Sequence, residues 1–182
     1  MSLYPPNPVV RLRPATPDDA ATLTAWDREP HVIACSTDDP EAKVAFDDMD
    51  WPEELARSAY DLTYVIAEVE SRPVGVMAVC DPHTEPSHYW GEIEPNLRAI
   101  DIWIGPAEWL GRSVGTQMMT DMINRCFAEP EVTAIVIDPL NSNAAAHRFY
   151  RRLGFVVEGR RMFDADDCLV MRLTRADWAD RA

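Results

Sequence analysis

The stretch 100–127 constrains the fold more than any other, because its apolar pattern changes from that of a strand to that of a helix. Its first part alternates Asp101 and Trp103 with apolar residues that would face the other side of a strand, namely Ile100, Ile102 and Ile104. Its second part repeats apolar residues at helical spacing, namely Val114, Met118, Met119, Met122, Ile123, Cys126 and Phe127. We therefore expect a strand, a short loop and a helix with one apolar face.

Two glycines, Gly111 and Gly115, bracket the loop between this strand and this helix. They let backbone N–H groups at a helix N-terminus point at a pyrophosphate. The Lys-Ser or Lys-Thr of a Walker P-loop does not follow, and the G-x-G-x-x-G of dinucleotide-binding domains is absent nearby. The prediction is an anion-binding loop outside both nucleotide fingerprints.

The remaining pattern predicts a mixed α/β sheet of about six or seven strands in one domain, 1–182, with its core at 8–175. Further strands are expected at 9–13, 62–69, 74–79, 132–138, 155–162 and 168–174. Helices are expected from Thr16 to about Trp26, from Asp50 to about Tyr60, and from Asn141 or Asn143 to Leu153. The segments 30–50, 81–96 and 164–167 are expected to be irregular.

The net charge of −14 limits the partners of this chain. Such an acidic protein repels nucleic acid and anionic membranes, so we expect neither as a partner. The apolar runs are far shorter than a bilayer span and residues 1–11 lack the apolar segment of a signal peptide, so we expect a cytoplasmic location. Between residues 38 and 54, eight carboxylates against Lys43 alone fit either a solvated surface or one wall of a cleft that attracts a cation.

Four scattered cysteines, Cys35, Cys80, Cys126 and Cys168, form no C-x-x-C pair, and the four histidines are equally dispersed. This spacing argues against a zinc site and favours free thiols, so we expect no bound metal.

The window Leu110-Gly111-Arg112-Ser113-Val114-Gly115 resembles the acyl-CoA loop of the GNAT superfamily of N-acyltransferases, whose pattern is Arg/Gln-x-x-Gly-x-Gly/Ala. Leu110 stands where the family usually has Arg or Gln, and Ser113 stands where it has its first glycine. The segment 141–155, NSNAAAHRFYRRLGF, resembles the second GNAT motif and follows the loop in the expected order. The resemblance implies the GNAT fold and acetyl-CoA as cosubstrate.

In that family the Asn of the second motif contacts the pantetheine arm and the Tyr protonates the departing thiolate, which assigns these roles to Asn143 and Tyr150. From the residues alone, a plain helix cap and a packed aromatic fit these two positions as well. The resemblance implies that the cosubstrate contacts Ile102, Trp103, Ile104, Leu110, Gly111, Arg112, Ser113, Val114, Gly115, Thr116, Asn143 and Ala146.

Residues 90–173 look like the aminoglycoside 6′-N-acetyltransferases, chiefly around positions 99–101, 108–112, 132–139 and 166–171. The resemblance implies a site for a cationic amine that contains Asp101, Asp138 and Asp167. The mixture of aromatic and acidic residues in the loop 81–96 would suit an aminated sugar, which adds Trp90 and Glu92 to the predicted site. A siderophore-acylating branch of the superfamily usually has His where Asp101 stands, so the Asp favours the aminoglycoside type. A solvent-facing acid at 101, a strand end at 138, a polar turn at 164–167 and a core role for Trp90 remain alternatives.

The chemistry of amide formation explains an Asp at position 101. A primary ammonium has a pKa of about 10, so it is protonated at neutral pH and cannot attack a thioester. A carboxylate binds this cation, orients it and relays its proton. We expect backbone N–H groups, left unpaired by a bulge near 102–104, to polarise the thioester carbonyl. A positioned amine then attacks directly, so no covalent enzyme intermediate is required.

The prediction is an acetyl-CoA-dependent N-acetyltransferase for a primary amine of a cationic, aminoglycoside-like small molecule. Asp101 and Tyr150 are its predicted catalytic residues. Three other acceptors remain open, namely a polyamine, a protein N-terminus and a siderophore precursor. A CoA-binding module without activity also remains open, and so do a monomer and a homodimer.

Overall fold

The computed structural model describes residues 8–46, 49–57 and 62–181. Its strands are β1 (Arg11–Pro14), β2 (Leu62–Val69), β3 (Arg72–Cys80), β4 (Leu97–Ile104), β5 (Ala134–Ile137), β6 (Val156–Phe163) and β7 (Asp166–Thr174). Its helices are α1 (Ala20–Trp26), α2 (Pro30–Ser36), α3 (Trp51–Arg57), α4 (Val114–Ala128), α5 (Ala144–Arg152) and α6 (Arg175–Ala179). Single 3₁₀ turns precede α1 at Pro17–Asp19 and follow β4 at Ala107–Trp109.

The strands form one mixed sheet in the order β1-β2-β3-β4-β5-β7-β6. All neighbours are antiparallel except β4 and β5, whose parallel pairing covers only Leu97–Ala134, Arg98–Ile135 and Ala99–Val136. Beyond Ala99, β4 continues along β3 to Ile104, whereas β5 ends at Ile137. The two strands therefore separate in the middle of the sheet, and an opening lies between them.

The side chains of β4 alternate between two apolar cores, one on each face of the sheet. Ile100 packs on one face against the buried stripe of α4, which consists of Val114, Met118, Met119, Met122, Ile123 and Cys126. Trp103 lies on the other face among Trp26, Trp51 and Tyr64, and the ring centroids of Trp51 and Trp103 are 6.2 Å apart. The predicted strand, loop and helix are confirmed, and helices cover both faces of the sheet.

Several predicted elements have different bounds or were missed. Residues 30–50 were predicted to be irregular, yet α2 occupies Pro30–Ser36, with Pro30 in its first turn and Val32 as its buried residue. One buried residue in seven is too weak a period to read from sequence. Asp166 and Asp167 lie in β7 rather than in a turn. Helix α6, capped by the Thr174 side chain, was not predicted, and the predicted helix end at Tyr60 lies outside the described residues.

Across the described ranges, no helix combines the length and the apolar content needed to cross a membrane.

Candidate active site

Backbone N–H groups of β4 that have no partner among the described residues line the opening between β4 and β5. Gly105 donates its N–H to the carbonyl of Val74 at 3.0 Å, so alternate residues of β4 direct their N–H and C=O groups to β3. The backbone groups of Ile102 and Ile104 therefore face the opening, and the carbonyl of Ile104 is 2.9 Å from His31 Nε2. The register with β3 has no shift here, so the predicted bulge is wrong. Strand separation, not a bulge, leaves the N–H groups unpaired.

Asp101 and Asp138 lie beside this opening, on β4 and directly after β5. Solvent reaches the Asp101 side chain, although protein atoms surround it on most sides. This environment and the nearby charge of Asp138 raise the pKa of Asp101 to about 7. Partial burial also raises the pKa of Asp138, whereas the hydrogen bond from Tyr89 and the charge of Arg161 lower it. The two acids form a pair with different surroundings.

Tyr89 is a site residue that the sequence did not single out, because it lies in the segment 81–96 that was expected to be irregular. Its hydroxyl donates to Asp138 Oδ2 at 2.6 Å, and its ring stacks on Phe163 with centroids 4.6 Å apart. The buried Glu85 carboxylate accepts from the Tyr89 backbone N–H at 2.6 Å and from both donors of Ser87. Loop 81–96 thus holds one phenol against one acid of the pair. No periodic pattern marks such a contact in the sequence.

Tyr150 lies at the C-terminal half of α5 and is 7% exposed. Its ring packs against Phe149 and Phe155, with centroid separations of 5.1 and 5.6 Å. Burial raises its pKa, and so do the charges of Asp101 and Asp138. Tyr150 also belongs to the apolar cluster against which Ile102 and Ile104 of β4 pack, so the phenol lies on the side of β4 that borders the opening. A phenol with a raised pKa keeps its proton until a stronger base forms beside it.

The N-terminus of α5 and the end of α2 meet at the rim of the opening. Asn143 caps α5 by accepting from the Ala146 N–H at 3.0 Å, and its amide donates to Cys35 Sγ at 3.4 Å. Ser142 donates to Asp38 at 2.6 Å, and Thr37 donates to Asp166 at 3.0 Å. The cap role of Asn143 is therefore present in the structure. Helix α2 lies beside the opening, because its His31 contacts the Ile104 carbonyl and its Cys35, one turn later, contacts Asn143.

The loop before α4 has the geometry of an anion site. Gly111 and Ser113 have φ angles of +70° and +62°, so both adopt the left-handed conformation that favours glycine. Ser113, which stands where the family pattern has its first glycine, thus adopts a conformation that glycine takes without strain. The N–H groups of Val114, Gly115 and Thr116 begin a helix of 15 residues and have no capping side chain. Arg112 adds a cation, stacked 5.5 Å from the centre of the Trp109 ring.

Other predicted contacts lie elsewhere. Trp90 is 4% exposed and packs edge-on against Phe163, so the structure gives it the core role. Trp103 directs its indole into the core and its backbone to Val76 of β3, away from the opening. Asp167 is paired with Arg160, which lowers its pKa. Glu92 is exposed on loop 81–96. Of the predicted acids, only Asp101 and Asp138 border the opening without a salt bridge in the described structure.

Leu110 and Thr116 are exposed beside the anion loop, and the Val114 side chain is buried, so only the Val114 backbone faces a ligand. Among the residues that can be described, no group of three or more His, Cys, Asp or Glu side chains could hold a metal ion. The opening, the free N–H groups and the loop before α4 together suit an extended thioester that ends in phosphates.

Residues 15–163 match the family described as "Acetyltransferase (GNAT) domain". The aminoglycoside N(6′)-acetyltransferase type 1 of Klebsiella pneumoniae is 31% identical over 157 residues, which cover 84% of this chain and 77% of that protein. The kanamycin resistance protein of Rhizobium radiobacter is 37% identical over 76 residues, which cover 41% of this chain and 70% of that protein.

Solved structures give the same likeness. Aminoglycoside acetyltransferase AAC(6′)-Ib in complex with coenzyme A and kanamycin superposes with a TM-score of 0.79 and 28% identity, over 96% of this chain and 100% of that one. The complex of AAC(6′)-Ib with ribostamycin and coenzyme A has a TM-score of 0.80 and 27% identity, over 93% and 96% of the two chains.

Proposed function

The chain belongs to the GNAT acetyltransferase family, and on that premise we propose that it transfers the acetyl group of acetyl-CoA to the 6′-amine of an aminoglycoside-like polycation. The observation that supports this acceptor is the pair Asp101 and Asp138 at the opening between β4 and β5. The charges of both acids also raise the pKa of Tyr150. Two carboxylates without a salt bridge in the described structure attract a polycation, and the net charge of −14 adds to that attraction.

The two acids have different roles toward the amine: Asp138 binds the cation and Asp101 accepts its proton. Tyr89 donates to Asp138 and favours its ionised form, which anchors the cationic acceptor. Asp101, with its pKa raised to about 7, is a stronger base than an ordinary carboxylate and accepts the proton of the attacking ammonium, directly or through water. The free amine then attacks the thioester without a covalent enzyme intermediate.

The remaining steps fall to the backbone and to Tyr150. The unpaired N–H groups at Ile102 and Ile104 donate to the oxygen that becomes negative as the amine attacks. A thiol has a pKa of about 8.5 by analogy with cysteine, so its thiolate leaves readily once a proton donor is near. The Tyr150 hydroxyl is that donor. The N–H groups of 114–116 and the Arg112 side chain bind the phosphates, and Asn143 contacts the pantetheine arm.

The deciding experiment is thiol release from acetyl-CoA with a panel of acceptors. We expect turnover with kanamycin and ribostamycin, and none with an aminoglycoside that has a hydroxyl in place of the 6′-amine. Spermidine, a peptide N-terminus and a hydroxylamine test the other acceptors. If any of them turned over faster than the aminoglycosides, that compound class would be assigned as the acceptor instead. Calorimetry with CoA adds the third alternative: CoA binding without thiol release from any amine would indicate a binding module.

A further inference from the structure

Cys35 brings a thiol to the rim of the opening. It follows the buried part of the short helix α2, and its side chain is exposed. Asn143 Nδ2 donates to its Sγ at 3.4 Å. The neighbouring contacts from Thr37 to Asp166 and from Ser142 to Asp38 hold the segment against α5 and β7. The thiol therefore has a defined place beside the residue proposed to contact pantetheine.

A second observation comes from Tyr150, which is only 7% exposed. Its hydroxyl makes no hydrogen bond with any residue that the structure describes, so its polar end has no protein partner there. Charge on Cys35 is among the influences that raise the pKa of Tyr150, together with Asp101 and Asp138. Asn143, which contacts the thiol, and Tyr150 are seven residues apart and share one face of α5, so the thiol and the phenol border the same face, where the proposed mechanism has the sulfur of CoA.

The other cysteines provide an internal comparison. Cys126 and Cys168 are buried and Cys80 is half-buried. Burial raises the pKa of each of these thiols to about 12. Thiolate is the reactive form, so these three react slowly at neutral pH. Cys35 differs from them in exposure and in its position at the opening.

We propose that Cys35 is a modification site at which CoA disulfide forms a mixed disulfide with the enzyme and blocks acetyl transfer. This inference rests on the proposed function, because one half of CoA disulfide would occupy the acetyl-CoA groove. The Cys35 thiolate attacks the nearer sulfur of CoA disulfide, an S–S bond forms to Cys35, and the S–S bond between the two CoA halves breaks. The second CoA leaves as a thiolate and takes up the proton that Cys35 released. Cys35 is oxidised and the departing sulfur is reduced, so no other oxidant is needed.

Intact-protein mass spectrometry with two matched disulfides tests the proposal. Pantethine has the same reacting end as CoA disulfide and lacks the nucleotide. Binding of the nucleotide raises the local concentration of the disulfide, so we expect CoA disulfide to react at least about tenfold faster than pantethine. Acetyl-CoA should protect Cys35, and dithiothreitol should restore both the original mass and the turnover of the modified enzyme. Peptide mapping should locate the added CoA on Cys35.

Two variants serve as controls, each scored as the turnover of the treated sample relative to its own untreated sample. Cys35→Ser should resist inactivation, and Cys80→Ser should be inactivated like the parent protein. Equal rates with the two disulfides, no protection by acetyl-CoA, or full turnover of the modified enzyme would overturn the proposal. CoA calorimetry on the unmodified protein separates the two hypotheses: normal CoA binding and turnover with any of these results rejects only the Cys35 proposal, whereas absent CoA binding rejects the proposed function and this inference with it.

Discussion

The hydroxyl of Tyr89 lies 2.6 Å from Oδ2 of Asp138 and donates a hydrogen bond to it. Asp101, the other acid of the pair, accepts no side-chain hydrogen bond from the described residues. The hydrogen bond opposes the rise in the pKa of Asp138, while the surrounding protein and the charge of Asp138 raise the pKa of Asp101 without such opposition. One proton shared by the pair therefore resides mainly on Asp101, and environments that separate two acids in this way commonly assign them different roles.

Tyr89→Phe tests this division. The variant keeps the ring that stacks on Phe163 and removes only the donor to Asp138. The pKa of Asp138 should rise further, so the fraction of ionised pairs at neutral pH falls and the KM for the aminoglycoside rises by about three- to tenfold. The measurement is kcat/KM against pH, whose acidic limb should move to higher pH. A superimposable profile would show that Tyr89 does not control the pair.

Asp138→Asn and Asp167→Asn form a matched comparison, because both acids were predicted to bind the substrate. Asp138 forms no salt bridge in the described structure, whereas Asp167 is already paired with Arg160 on the surface. We expect the first variant to raise the acceptor KM by about tenfold or more. The second should stay within about twofold, because exposed ion pairs contribute little. Equal effects would place Asp167 at the acceptor, and steady-state kinetics with kanamycin decides.

Asp101→Asn should lose activity and gain stability above neutral pH. The folded-state pKa of about 7 exceeds the ordinary Asp value, so the folded protein binds more protons between about pH 4 and 7 and its stability falls as pH rises through that window. The Asn side chain of the variant does not ionise, so the variant does not lose this stability as the pH rises. At about pH 8 the melting temperature of the variant should exceed that of the parent by about 2–4 °C for each kcal/mol of destabilisation removed, with little difference below about pH 4. A difference independent of pH would contradict the assignment.

Ser113→Gly should stabilise the protein, because Ser113 has a φ of +62° in the conformation that glycine adopts without strain. We expect a gain of up to about 1 kcal/mol in the free energy of unfolding, reduced by the greater freedom of glycine in the unfolded chain. Gly111→Ala is the control of opposite sign, since its φ is +70° and no atom of the described residues lies within 4 Å of an added Cβ. It should lose about 1 kcal/mol through backbone strain alone. Urea unfolding measures the change in the free energy of unfolding for both variants. Changes of the same sign would contradict the explanation by backbone strain.

Tyr150→Phe separates proton donation from packing. The ring contacts with Phe149 and Phe155 remain, so the melting temperature should change little. Loss of the proton donor should lower kcat by about 10², the lower end for general acid catalysis, because a thiolate is already a good leaving group. The affinity for CoA, measured by calorimetry, should stay within about twofold. A parallel loss of CoA affinity would indicate a binding role instead.

The sequence alone was sufficient for the elements that repeat a strong period. The strand around Ile100–Ile104 and the helix with the buried stripe from Val114 to Cys126 are recognisable because each position that faces the core must be apolar. Local motifs likewise placed Asn143 at a helix cap and Gly111 in the turn of the loop, whereas the left-handed conformation of Ser113 was not predicted and the second expected glycine, Gly115, lies within α4. These features depend on neighbours within one or two turns of the chain.

Only the tertiary structure decided which acids form the pair and which of them has a partner. Asp167 looked equivalent to Asp138 in the sequence, yet the register of β6 with β7 brings Arg160 beside it. The contacts of Tyr89 with Asp138 and of Cys35 with Asn143 join residues 49 and 108 positions apart. Charge, solvation and hydrogen bonding depend on distance in space, and the separation of β4 from β5 sets those distances, so no local pattern of residues records them.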